Sequence, residues 1–285
     1  MSAANASIQT ALYEAPGPKT RRRIAVGTGI SLVAVAALLV LILRRFYVTG
    51  QLDAKYWSLF TRATTWRFLG QGLAGTLKVA LMSSLIAFVI GMGLMLLRLS
   101  HAAPARWLGT ALVELSRGIP TLLFIYFFFL VAPQFGLKLP TFWKIALPVS
   151  ISASGVVAEV LRSGVHAVPK GQTEAALALG MGSGTVFFKI VFPQGLRYVV
   201  PSLISELVIV LKDTTFAYVV SYADLMQNAR VLISNYDTLL SVYLVVAVIY
   251  ILINYLLHRL SVFVAGRSRA TGATREAKKG SLDYA

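Results

Sequence analysis

Charged side chains that could meet or relay a charged cargo fall in three places within strongly apolar sequence: Glu159 with Arg162, the isolated Glu206, and Lys212 beside Asp213. A charge carried into hydrocarbon is costly, so such residues face a cavity, a partner or each other. Glu159 and Arg162 stand three apart on one helical face, a spacing that lets them pair to brace a helix or meet a charged cargo. Lys212 and Asp213 read equally as a self-compensating couple at a helix end and as charges that line or gate a pathway. Glu206 sits among Leu203, Ile204, Leu207, Val208, Ile209 and Val210, so its carboxylate is expected to face a cavity, a cation such as Lys212, or the ammonium of a cargo.

Nothing for bond-making chemistry accompanies these charges. The chain lacks the Gly-x-x-x-x-Gly-Lys-[Ser/Thr] cradle for a triphosphate, and Gly180-Met-Gly182-Ser-Gly184 has the wrong spacing for a dinucleotide turn. No His-Glu-x-x-His occurs, and His101, His166 and His258 lie at the edges of apolar stretches, where an interfacial histidine is the simpler reading than a metal ligand. With no cysteine, a disulfide framework and a thiolate metal site are both excluded. The sequence therefore offers no catalytic residue, no metal site and no cofactor of its own, and any energy source is expected on another chain.

The elements that must position these charges are set by hydrophobicity. Across 285 residues, 57% are hydrophobic and 13% charged, and the mean hydropathy of +0.73 is too high for an ordinary soluble domain. Residues 24–43, 118–137 and 238–257 carry no charge, nor does the shorter run 79–97, and each can cross a hydrocarbon core about 30 Å thick as a helix. Two further spans, 144–166 and 198–220, are interrupted by polar residues and read as pore-facing helices. The expectation is an all-α membrane protein of about six transmembrane helices, with both termini on one side. Its first helix reads as retained rather than cleaved, since its apolar core is long and lacks a small-x-small site. The net charge of +16 sits in the flanking loops, which suits anionic lipid headgroups and makes nucleic acid an unneeded partner. With cytoplasmic termini, sixteen Lys and Arg lie inside against eight outside.

The polar, Gly/Pro-punctuated stretch between the spans 144–166 and 198–220 has its own logic. Thr173 can cap a helix start with Glu174 in the first turn, Gly180 can end that helix, Ser183 can start a second, and Pro193 can end it. Two short helices with a glycine hinge make a rigid knob suited to docking another protein.

This stretch, with Gly171, Gln172, Glu174, Ala175, Ala176 and Gly180, resembles the cytoplasmic Glu-Ala-Ala coupling loop of ABC importer permeases. Glu114-x-x-Arg117-Gly-x-Pro120, Glu159-x-x-Arg162, Lys170-Gly-Gln172, Pro193-Gln194 and Lys212-Asp-Thr-Thr215 are similar to signatures of the polar amino-acid group, which includes histidine, arginine, glutamine and glutamate systems. The resemblance implies the MetI-like core of type I importers and ATP-driven uptake of a polar amino acid, with glutamate or glutamine as the candidate type, by alternating access. It implies ABC ATPase subunits holding ATP and magnesium, an identical or homologous permease, and an extracytoplasmic solute-binding protein. It places the chain in a bacterial cytoplasmic membrane, and Glu159, Arg162, Glu206, Lys212 and Asp213 along the pathway. Another small solute, or an ATP-independent channel or secondary transporter, is the alternative, although the latter has no use for a docking loop. The layout so read is a disordered basic tail at 1–23, an extra helix and outside segment at 24–66, a permease domain at 70–266 with its coupling loop at 169–194, and a basic tail at 267–285.

The orientation is open to direct labelling of a chain without cysteine. Ser183→Cys and Ser268→Cys should be shielded from an impermeant maleimide in intact cells, while Thr49→Cys reacts; labelling of Ser183→Cys from outside would reverse the topology.

Overall fold

Hydrocarbon offers no partner to a backbone N–H or C=O, so a chain this apolar must close its hydrogen bonds within helices. The computed structural model describes residues 17–280, with side chains up to Ala265, and contains helices and no strand among them. Two units are distinguished, Met1–Ser58 and Leu59–Ala285.

The first unit is dominated by α1, Pro18–Val48, whose side chains are nowhere buried. The expected disordered tail is corrected here from Pro18 onward: proline occupies the first helical turn, where its missing N–H costs nothing, and Arg21, Arg22 and Arg23 follow as helix. Residues 1–16 lie outside the described part.

The second unit runs through α2 (Ala63–Leu99), α3 (Ala103–Gly118), α4 (Thr121–Tyr126), α5 (Thr141–His166), α6 (Lys170–Ala178), α7 (Ser183–Val186), α8 (Phe192–Asp213), α9 (Leu225–Tyr236) and α10 (Leu239–Gly280). By length and apolarity α1, α2, α5 and the Leu239–Ala265 part of α10 can each cross a membrane. The uncharged run at 118–137 is no straight span. Pro120 breaks it from α3, the two pieces bend by 94°, and α4 continues as a π turn at Phe127–Val131 and a 3-10 turn at Ala132–Phe135. Residues 198–220 are likewise helical only to Asp213 and tighten into a 3-10 helix at Thr214–Val220. At 22 residues, α8 still has a crossing's length, about 33 Å at 1.5 Å per residue.

α5 is the central element: 61% of its apolar window is buried against 17% for α10. Lipid tails supply no hydrophobic drive between helices, so close approach at small residues must hold them. A Cβ on Gly155 would fall 2.0 Å from Ser116 Oγ, so α3 lies directly on α5. Backbones also touch where α5 meets α8, since a Cβ on Gly164 would come 2.5 Å from the Gly195 carbonyl oxygen. Gly91 packs against α5 in the same way, but Gly93, which by residue type reads as another packing point, has nothing within 4 Å. Two residues turn a helix by about 200°, so both cannot face one neighbour.

Overpacking at such a contact costs about 1–3 kcal/mol. Gly155→Ala should therefore lower the thermal midpoint of the purified protein by several degrees, while Gly93→Ala leaves it unchanged; equal midpoints for the two would contradict the α3–α5 contact.

Candidate functional site

Three assemblies emerge from the packing of α2 to α8. The first is ionic. Arg98 Nη1 donates to Glu159 Oε1, Arg117 Nη1 stands 3.6 Å from the same oxygen, and Arg162 Nε donates to Oε2 at 3.1 Å. One carboxylate thus ties α2, α3 and α5 together about two turns before α5 ends. The expected Glu159–Arg162 pair exists, yet it is one spoke of three. Arg98 reads in sequence as a loop charge; because α2 extends to Leu99, it lies in the last helical turn with its side chain only 13% exposed. Arg117 also reaches Glu114 at 4.0 Å.

The second assembly is the loop after α5. Helix α6 begins at Lys170 with Pro169 as its N-cap and no capping side chain, so Thr173 and Glu174 lie a full turn inside rather than at the start. Proline before the first helical residue sets the entry, and the cap expected of Thr173 is not needed. The C-terminal end is as its glycine requires: Gly180 has φ +79°, its N–H donates to Leu177 O at 2.9 Å, and Met181 N–H donates to Ala176 O at 3.2 Å. These paired bonds close the last carbonyls of α6, a cap that favours glycine in the left-handed conformation. Ala176 is buried with Val168, Val186 and Val191, and Met181 packs on them, so the knob has a small core. Gly171, Gln172, Glu174, Ala175 and Gly180 stay exposed around it, with Leu179 and Phe188 83% and 56% exposed. Pro193 does not end a helix. The π turn Phe187–Val191 carries the chain from α7 into α8, and Pro193 sits in the first turn of α8, where no N–H is required of it. Gln194 Nε2 donates to Gln172 Oε1 at 3.4 Å, bringing two signatures together.

The third assembly is acidic. Glu206 is 7% exposed and borders a pocket of about 500 Å³ between α2, α5 and α8, whose walls include Leu85, Phe88, Val157, Leu203 and Leu207. Ser84 lines it too, and its buried hydroxyl finds no protein partner. Seven residues on, and so on the same helical face, Asp213 accepts a hydrogen bond from Thr121 Oγ1 at 2.9 Å, and Thr121 is also 2.8 Å from Ser152 Oγ. Among the described residues neither carboxylate forms an ion pair. Lys212, read as a partner for Glu206 or Asp213, points away and is exposed, because adjacent positions on a helix cannot share a face.

The coupling residues therefore gather in one place, whereas the pathway residues divide: Glu159 and Arg162 join the arginine hub, Glu206 and Asp213 share a face, and Lys212 stands apart. Thr121 and Arg98 escape a reading by spacing because their partners are 92 and 61 residues away in sequence.

Residues 87–270 match the family described as binding-protein-dependent transport system inner membrane component. A glutamate transport system permease protein of Corynebacterium glutamicum is 35% identical over 79% of this chain and 84% of its own length. A probable glutamine ABC transporter permease protein of Bacillus subtilis is 34% identical over 66% of this chain and 88% of its own. The fold superposes, with a TM-score of 0.68 and 27% identity, on the crystal structure of an amino acid ABC transporter with histidines, covering 73% of this chain and 98% of that one.

Removing the charge of Glu159 leaves three arginines facing one another without their common acceptor. Hydrogen bonds to charged groups contribute about 1.5–3 kcal/mol, so Glu159→Gln should lower the thermal midpoint markedly and increasing salt should narrow the gap to wild type. A midpoint equal to wild type at low salt would contradict the hub.

Proposed function

Because the chain belongs to the family of binding-protein-dependent transport system inner membrane components, we propose that it is the permease subunit of an ATP-driven importer that brings a polar amino acid into the cytoplasm. It is a multi-pass membrane protein. In this reading both termini are cytoplasmic in a bacterial cytoplasmic membrane, and an extracytoplasmic binding protein delivers cargo. Two ATPase subunits hold ATP and magnesium, and an identical or homologous permease completes the pathway. This chain supplies no catalytic group and no cofactor.

One observation carries the reading: a self-packed knob, α6 to the π turn, presents Leu179 and Phe188 outward directly after the central helix α5. Two exposed apolar side chains on a rigid, glycine-capped turn suit a cleft on another protein. Closure of the ATPases would push the knob, and the push would pass along α5 and, through the Gly164–Gly195 contact, into α8 and the Glu206 pocket. Alternating access then needs only that these packed helices tilt as units.

Gly180→Val tests the transmission. A Cβ there meets nothing within 4 Å, so the change adds no clash, but a left-handed valine costs about 1–2 kcal/mol or more and should unseat the cap. Membrane abundance should stay near normal while ATPase co-purification and amino-acid uptake fall sharply. Wild-type uptake by the variant would remove the knob from the coupling route.

A further inference from the structure

We infer that the Glu206 pocket and the groove at Lys78 form one elongated site selective for an amino acid with a cationic side chain, its guanidinium or ammonium on Glu206 and its carboxylate at Lys78. This rests on the importer reading and narrows its cargo.

Glu206 is a buried carboxylate in apolar walls with no cationic partner among the described residues. A charge so placed costs several kcal/mol unless a counter-ion arrives or the group takes up a proton. The Glu159 carboxylate, by contrast, already has three arginines, so the chain compensates a carboxylate where the fold requires it and leaves Glu206 open. A second groove, of about 370 Å³, is lined by Lys78, Met82 and Phe142 and shares Leu81 and Leu85 with the Glu206 pocket. Lys78 is exposed and forms no ion pair among the described residues. The two spaces therefore adjoin along one face of α2, with a cation at one end and an anion at the other.

Distance and charge then select the cargo. Lys78 lies six residues before Ser84, about 9 Å along α2, and Ser84 lines the pocket with Glu206. An α-ammonium, bonded to the same carbon that bears its carboxylate, cannot span such a gap. A cation at the end of a three- or four-carbon stem can, and the stem matches the apolar wall of Leu81, Leu85 and Leu203. Glutamate could bridge the ends in reverse, with its side-chain carboxylate on Lys78 and its ammonium on Glu206, but its α-carboxylate would then crowd Glu206. Asp213 extends the acidic face, so with both carboxylates ionised Lys78, Glu206 and Asp213 sum to one net negative charge. A cargo with one net positive charge balances it, and an anionic cargo does not. A guanidinium also offers the planar pair of donors that a carboxylate accepts in bidentate fashion.

The test uses the purified complex of this permease with its ATPase, the probe being labelled L-arginine displaced by L-lysine, L-glutamine or L-glutamate. Arginine and lysine should bind at least about tenfold more tightly than glutamate. Glu206→Gln should weaken arginine about tenfold with less than about threefold change for glutamine, Glu206→Asp should recover most of the loss, and Lys78→Met should weaken every cargo. Glutamate binding as tight as arginine in the wild type, no arginine binding at all, or an unchanged ranking in Glu206→Gln would each overturn the proposal. The wild-type ranking decides even if a variant fails to accumulate. Co-elution of an active ATPase separates the two levels: if it is retained while the ranking is wrong, only the cargo class falls, and if no ATPase associates with the wild type, the importer reading falls as well.

Discussion

A single carboxylate, that of Glu159, holds three arginines drawn from α2, α3 and α5, and the arrangement of the helix ends around it follows from it. Without that acceptor, Arg98, Arg117 and Arg162 would repel one another just where α3 must lie flush on Gly155. With it, the ends of α2 and α3 are clamped to α5, and α5 can enter the knob at Pro169 as a stiff rod. The glycine contacts extend the clamp: Gly91 fits α2 to α5, and the facing Gly164 and Gly195 bring α8 against it. Small residues and one ion cluster thus do in a membrane what apolar burial does in water.

The treatment of the two conspicuous acids differs accordingly. Glu159 is held by three arginines, an arrangement that suits a bracing group. Among the described residues Glu206 shares a pocket with the Ser84 hydroxyl and has no cation, and Asp213 accepts from the hydroxyl of Thr121. Buried charges are tolerated when paired, so an unpaired one beside open space is where a charged cargo gains most. The signature residue Arg117 and the neighbouring Thr121 flank the 94° break at Pro120, one turned to the hub and the other to the acidic face, so that break joins the two.

What could be read from sequence was what local chemistry decides. Gly180 announces a left-handed helix end by residue type, the uncharged runs announce crossings, and a lone Glu206 among aliphatic residues announces a cavity. Proline was ambiguous for a physical reason: it is excluded from a helix interior but welcome in the first turn, so Pro193 opens α8 and Pro18 opens α1 where an ending or a disordered tail was the simpler reading. The hub was invisible because Arg98 and Glu159 meet across 61 residues and only helix packing selects which arginine finds which acid. The same holds for Lys212, which is exposed while its neighbour Asp213 turns about 100° away toward Thr121.

The proposed coupling makes the knob and the Glu206 pocket one mechanical train. Spin labels at Leu85→Cys on α2 and Leu207→Cys on α8, in this cysteine-free chain, sit on two different helices that line the pocket and report their separation by pulsed dipolar spectroscopy in the assembled complex. On this coupling, trapping the ATPase with ATP and vanadate should shift the interspin distance, and Gly180→Val should abolish the shift while leaving the nucleotide-free distance unchanged. An interspin distance indifferent to nucleotide in the wild type would contradict it.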